Sequence, residues 1–182
     1  MVNYTRKAII DAFEEFLDEK PFDKITVLSI VERCGISSNT FYYHYRDIFN
    51  LLDVWVRDRA DKIVSSLESP DSWTEILRAF LHTMQVNRKV VYNVWNSASR
   101  EKMEKYVYDF VCRQMEKQVN EAPECVDMTD EERGVVTRFC SYSLLGYLLN
   151  FLWNDMDYDV DRAVDNLDRL FTGAVKNYIT KS

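Results

Sequence analysis

The side chains most able to do chemistry in this chain are crowded into ten residues. Ser37, Ser38, Asn39, Thr40, Tyr42, Tyr43, His44 and Arg46 can all donate hydrogen bonds. None of them is arranged as a nucleophile with a base, so the chemistry on offer is recognition rather than bond breaking. At about 100° per residue on a helix, Phe41 and Tyr45 share one face while Asn39, Tyr42, Tyr43 and Arg46 point the other way. Two adjacent tyrosines facing water beside Asn and Arg call for a partner. Tyrosine hydroxyls, Thr, His and Arg all donate to phosphate oxygens, and DNA meets that need best. The plain alternative is a tight helical hairpin in an ordinary bundle.

The flanking residues explain how such a helix would be held. Thr26 precedes an apolar run and caps a first helix, its hydroxyl accepting a free backbone N–H. Leu28, Ile30, Val31 and Cys34 are read as its inward positions. Gly35 follows, where a helix commonly ends in a left-handed residue. Ser37 then caps the second helix. Two helices around a short glycine turn form a helix-turn-helix. Its second helix enters the major groove with its N-terminal residues at base edges. Ser38, Asn39 and Thr40 sit at that end.

Residues 4 to 56 resemble the tetracycline-repressor (TetR) family of transcription regulators. The resemblance rests on Arg6-Lys7-Ala8-Ile9, Phe13 to Phe16, Phe22, Ile25-Thr26-Val27, Ile30, Gly35-Ile36-Ser37, Thr40-Phe41-Tyr42-Tyr43-His44-Tyr45 and Leu51-Leu52. It implies an all-α homodimer whose three N-terminal helices bind double-stranded, palindromic operator DNA. It also implies C-terminal helices that bind an effector and dimerise. On it, Thr26, Tyr42, Tyr43, His44 and Arg46 occupy phosphate-contact positions. Ser37, Ser38, Asn39 and Thr40 fall near base edges. The family usually has more lysine here, whereas Arg46 is the one formal cation of this helix.

Composition agrees with a small helical protein. The chain has 182 residues, 47% of them hydrophobic, with only four Gly and three Pro. So few breakers favour helices over turn-rich sheets. No uninterrupted apolar stretch reaches the roughly 18 residues of a membrane span. The first residues lack the apolar run of a signal peptide. A cytoplasmic protein that enters no membrane is expected. Four cysteines, at 34, 112, 125 and 140, form no C-x-x-C pair. They read as reduced, mostly buried thiols, with a two-cysteine redox sensor as the alternative. His44 and His82 are the only histidines, so no metal cluster is expected, and no cofactor either.

Charge runs against generic nucleic-acid affinity. The net charge is −7. Residues 1 to 60 hold eight Lys and Arg against ten Asp and Glu, net −2. Non-specific binding, which rests on neutralised phosphates, should be weak. Specificity should rest on neutral hydrogen-bonding side chains.

The remaining pattern reads as about nine helices. The first spans Asn3 to Lys20 and Pro21 stops it. The fourth runs from an Asp47 cap to Leu67. Ser69-Pro70-Asp71-Ser72 breaks the chain. Helices then span Trp73 to Val86, Val90 to Ala98, Arg100 to Asn120, Thr129 to Asn154 and Asp159 to Ile179. Asn87 and Arg88 are read as a joint. This gives a DNA-binding region at 1–46, a connecting helix at 47–69, and an effector-binding and dimerisation region at 70–182.

Two constellations lie in the second half. His82, Tyr92, Trp95, Tyr108, Phe139, Tyr142 and Tyr147, with Tyr106, Phe110 and Trp153 nearby, mix aromatic and polar groups as ligand pockets do. Aromatic stripes at helical spacing are also simply core. Surrounding acidity suits a neutral or cationic ligand. Ser141 to Leu149 places Ser143 and Gly146 three apart, where helices approach closely. With the ninth helix it suits a homodimer interface through helices eight and nine. The chain shows no phosphate loop, no G-x-G-x-x-G and no Ser/His pairing, so an enzyme is not expected. The expected function is a transcriptional regulator, in the repressor sense, released from its operator by a small-molecule effector. The alternative is an interaction module answering to a protein co-regulator, with weak or no DNA binding.

Overall fold

A computed structural model describes residues 2–68, 72–97 and 100–181, the side chains of residues 2, 3, 102, 106, 124 and 179–181 excepted. The break expected at Ser69-Pro70-Asp71, the end of the sixth helix at Ala98 and the side chain of Tyr106 lie outside the described residues. Nine α-helices and no strand are found among those residues: α1 (Val2–Glu19), α2 (Val27–Cys34), α3 (Ser38–His44), α4 (Ile48–Ser65), α5 (Trp73–Val86), α6 (Arg88–Trp95), α7 (Arg100–Glu121), α8 (Asp130–Trp153) and α9 (Val160–Lys181). The all-α expectation holds. The chain divides into two compact units. The first comprises residues 1–62 and 87–101; the second comprises 63–86 and 102–182. The helix read as Val90 to Ala98 starts earlier, because Asn87 stands at its N-cap and Arg88 opens it.

The first unit is built on α1. Ile9, Phe13 and Leu17 are fully buried, as are Ile30 of α2, Phe41 of α3 and Leu51 of α4. These positions recur at helical spacing, so each helix buries one stripe. Phe13 meets Phe22 and Trp55 edge to face, with centroids 6.1 and 6.0 Å apart. Trp55 donates its indole N–H to Glu14 at 2.8 Å, and Glu14 also pairs with Arg59. α6 packs on α1. Its Asn93 amide donates to the Leu17 carbonyl at 2.7 Å, closing the C-terminal end of α1.

Helix ends follow the predicted chemistry. Thr26 and Ser29 form a reciprocal box, with Ser29 N–H donating to Thr26 Oγ1 at 3.1 Å and Thr26 N–H to Ser29 Oγ at 3.2 Å. Ser37 Oγ accepts from Thr40 N–H at 3.2 Å. Asp47 accepts from Asn50 N–H at 2.7 Å. Gly35 has φ 63°, and its N–H reaches the Glu32 carbonyl while Ile36 N–H reaches Val31. That pair of bonds is the Schellman closure. A Cβ at Gly35 would meet nothing within 4 Å. Gly35→Ala therefore costs only the left-handed backbone penalty, about 1–2 kcal/mol. A fall of roughly 2–8 °C in melting temperature is expected.

The second unit has its own core, including Met115, Cys125, Cys140, Leu144, Phe151, Met156, Val164 and Phe171. α5 lies on α9. Arg78 reaches Asp161 at 2.8 Å and Asp165 at 2.9 Å. Asp155 and Met156 both have φ 55° in the turn between α8 and α9. Gln85 of α5 donates to the carbonyls of Met156 and Tyr158 at 2.9 and 3.1 Å, holding that turn. α8 is long and apolar enough, by length and composition, to cross a membrane, with a mean hydropathy of 1.2 over its best window. Its first turn carries Asp130, Glu131 and Glu132. One side of it is core: Val136, Cys140, Leu144, Leu148, Phe151 and Leu152 are buried.

Three carboxylates in these structures sit below their ordinary values. Asn50 N–H lowers Asp47, Thr129 N–H lowers Glu132, and Arg78 then His82 lower Asp161. A depressed folded-state value means the folded protein binds fewer protons than the unfolded chain. Their contribution is complete above the ordinary carboxylate range. It is lost as pH falls through the depressed values. Denaturant titrations should give a constant stability from about pH 7 to 5 and a falling one below about pH 4. Asp47→Asn should flatten that fall.

Candidate nucleic-acid interface and effector region

The exposed face of α3 is produced by the burial of Phe41 and Tyr45. Both lie inward with ring centroids 5.7 Å apart. α3 is thereby fixed in rotation, and Tyr42 and Tyr43 are turned out, 55% and 76% exposed. Tyr43 touches His44 edge to face at 5.1 Å, and Tyr42 touches Phe41 at 5.6 Å. Ser38 and Asn39 are exposed at the start of the helix. Ser37 and Thr40 share a hydroxyl–hydroxyl bond of 2.9 Å. Arg46 is exposed beyond the end and pairs with Asp47 at 3.3 Å. Thr26 is exposed at the N-terminal end of α2. The candidates are thus spread along α3 and its two flanks. Thr40 and His44 are half-buried, and the other seven are exposed.

Positive charge around this surface is partly committed elsewhere. Arg33 lies across α1, 2.8 Å from Glu15 and 3.4 Å from Glu19, over the Phe16 ring at 4.0 Å. Those two carboxylates hold its charge, with Glu15 the larger influence. Tyr45 is 3% exposed, and its hydroxyl makes no hydrogen bond of ordinary geometry. Burial pushes its phenol up, while the nearby Arg6 guanidinium pulls partly back.

One expected core residue lies elsewhere. Leu28 is not inward: it is 61% exposed. Ile30, Val31 and Cys34 define the inward side of α2, and Leu28 lies roughly 110° of rotation away. Its apolar character suggested the core; the helical wheel, applied strictly, would have placed it outside.

The residues proposed for an effector fall in different places. Tyr92 and Trp95 belong to the first unit, where Trp95 is buried and carries Arg100 over its ring at 4.8 Å. The other five belong to the second. His82 contacts Asp161 at 3.3 Å. Tyr108 stacks on Tyr142 at 5.7 Å. Hydrogen bonding with Cys112, then Tyr142, pushes its phenol up. Tyr147 meets Tyr158 at 6.2 Å, and Phe139 meets Phe171 at 6.3 Å. Phe139 and Tyr142 are 51% and 58% exposed, facing out rather than in. Burial, with a smaller effect of Cys125, pushes the Cys140 thiol up to about 11. A thiol so raised is a poor nucleophile. No group of three or more His, Cys, Asp or Glu suited to a metal occurs among the described residues.

Known proteins resemble this chain in sequence profile and in fold. The family profile described as "Bacterial regulatory proteins, tetR family" matches residues 9–53. The profile described as "Transcriptional regulator C-terminal region" matches residues 71–173. No curated protein matches the chain in sequence. Among solved structures, the dihydroxyacetone kinase operon activator DhaS is similar at TM-score 0.66 and 15% identity, over 94% of this chain and 96% of that one. NalD, the secondary repressor of the MexAB-OprM multidrug efflux pump in Pseudomonas aeruginosa, is similar at TM-score 0.61 and 15% identity, over 94% and 96%. A transcriptional regulator (TerR/AcrR family) from Aquifex aeolicus VF5 is similar at 0.54 and 20%, over 96% and 99%. At these identities the structures speak for the fold, and the two profiles together span both halves of the chain. The chain belongs to the tetR family of bacterial regulatory proteins and is a DNA-binding transcriptional regulator with a C-terminal effector region.

Proposed function

We propose that the protein binds a palindromic operator as a homodimer and leaves it when an effector binds the C-terminal region. The observation that carries this reading is the outward tyrosine pair on α3, fixed in place by buried Phe41 and Tyr45. Thr26, Tyr42, Tyr43, His44 and Arg46 bind phosphates. Ser38 and Asn39 reach base edges, with Ser37 and Thr40 shaping that end of the helix. Residues 1–46 act as the head, 47–69 connect it, and 70–182 sense and dimerise. A chromosomal target places the protein in the cytoplasm.

The exposed side of α8 supports the dimer. Val135, Phe139, Tyr142, Gly146 and Trp153 recur every three, four or seven residues along it, and Leu170 is exposed on α9. A soluble monomer would leave these uncovered. We assign Phe139 and Tyr142 to that interface. His82, Tyr108 and Tyr147 remain the effector candidates of the second unit. The likeness to NalD, a repressor, supports the repressor sense, and the likeness to DhaS, an operon activator, supports the opposite one. A ligand needs only a different affinity for two spacings of the heads to switch the protein.

Selection from a random pool of duplexes tests the reading. The protein should enrich palindromes with half-site centres about one helical turn, 34–36 Å, apart or a multiple of it. Failure to enrich any duplex would overturn it.

A further inference from the structure

We propose that Leu28 reads the 5-methyl group of a thymine at the outer edge of each half-site, adding a T·A preference that the polar residues of α3 do not supply. The inference rests on the reading of the head as the DNA-binding surface. Leu28 is 61% exposed in the first turn of α2, two residues after the Thr26 cap. Arg33, pinned to Glu15 and Glu19, marks the flank of α2 that faces α1. Leu28 lies roughly 140° round the helix from it, on the flank turned away from α1.

Charge decides which end of that flank meets DNA. Glu32 is exposed one turn further along, and it repels phosphate. The N-terminal end offers backbone N–H groups and the positive end of the helix dipole, both of which favour phosphate. With Thr26 on the backbone, Leu28 is carried beside the groove. A leucine can accept no phosphate and makes no hydrogen bond to a base. The one feature of a major-groove edge that an apolar side chain recognises is the thymine methyl. A lone exposed leucine is ordinary on a protein surface. This one stands on the flank of α2 turned away from α1, in a head that has no net positive charge to add to its affinity.

The test uses the full-length protein and the duplex it selects from a random pool. Each dT is replaced in turn by dU, which removes the methyl and keeps the base pair. Affinity is read by fluorescence anisotropy for the wild type and Leu28→Ala. The wild type should lose about fourfold at one symmetric position per half-site, and about fifteenfold when both are replaced, the worth of one buried methyl each. Leu28→Ala should bind dT and dU there equally, with its sensitivity elsewhere and its melting temperature unchanged. A wild type indifferent to dU throughout, or a variant keeping the wild-type profile, overturns the inference and leaves operator binding standing. A wild type that selects no duplex removes both.

Discussion

Tyr43→Ala will lower operator affinity about 30-fold or more and leave the melting temperature within a degree or two of the wild type. The ring is 76% exposed, and its described packing partner is the edge of His44. Truncation therefore opens no cavity, and alanine is the better helix former. The loss arises on DNA. A hydroxyl donating to a charged phosphate contributes about 1–1.5 kcal/mol at a wet surface. The dimer uses two, so the free energies add to about 2–3 kcal/mol, or 30- to 150-fold.

The salt dependence separates this effect from lost charge. Tyr43 neutralises no phosphate, so the slope of log affinity against log salt should be unchanged. Arg46→Ala should shallow that slope by up to about one for each phosphate left unneutralised. Its pairing with Asp47 at 3.3 Å makes a smaller change the expectation. A Tyr43→Ala protein that melts far lower and binds normally would show that the residue supports the core and that α3 is rotated from the orientation described.

What the sequence disclosed follows how local each cause is. Thr26, Ser37 and Asp47 cap their helices through bonds to residues three positions away, so side-chain type announces them. Gly35 was legible for the same reason. Tyr42 and Tyr43 were legible because Phe41 and Tyr45, four apart, leave α3 one inward face. Leu28 was not, because its hydrophobicity and its angle on the helix point in opposite directions. The exposure of Phe139 and Tyr142 was not legible, because spacing identifies a face of α8 without telling which neighbour covers it. A turn between Asn154 and Asp159 was legible, but the left-handed backbone of Asp155 and Met156 was not, as neither residue is a glycine. Its support comes from Gln85, more than seventy positions away. The kinship of α6 with the first unit is hidden likewise, since it depends on Asn93 meeting the end of α1.

Placing glutamate at both Phe139 and Trp153 will convert the protein to a monomer and reduce operator affinity by at least 100-fold. The two residues are 51% and 63% exposed on the same face of α8, fourteen positions apart, four turns at about 3.6 residues each. Phe139 is half exposed and meets Phe171 edge-on, so the folded subunit should lose little stability. In a two-fold interface each substitution occurs twice. Four carboxylates would then face an apolar seam, and burying unpaired charge costs several kcal/mol per ion. A monomer meets one half-site at a time and forfeits the effective concentration that links the two heads, a factor of about 10²–10⁴. Sedimentation velocity reads the first consequence and anisotropy on a full palindrome the second. On an isolated half-site the variant and the wild type should bind alike, because the head itself is untouched. A double variant that still sediments as a dimer would move the interface away from this face of α8. Dimer loss without loss of palindrome affinity would mean that the two heads bind independently, and the geometric switch proposed for the effector would then have nothing to act on.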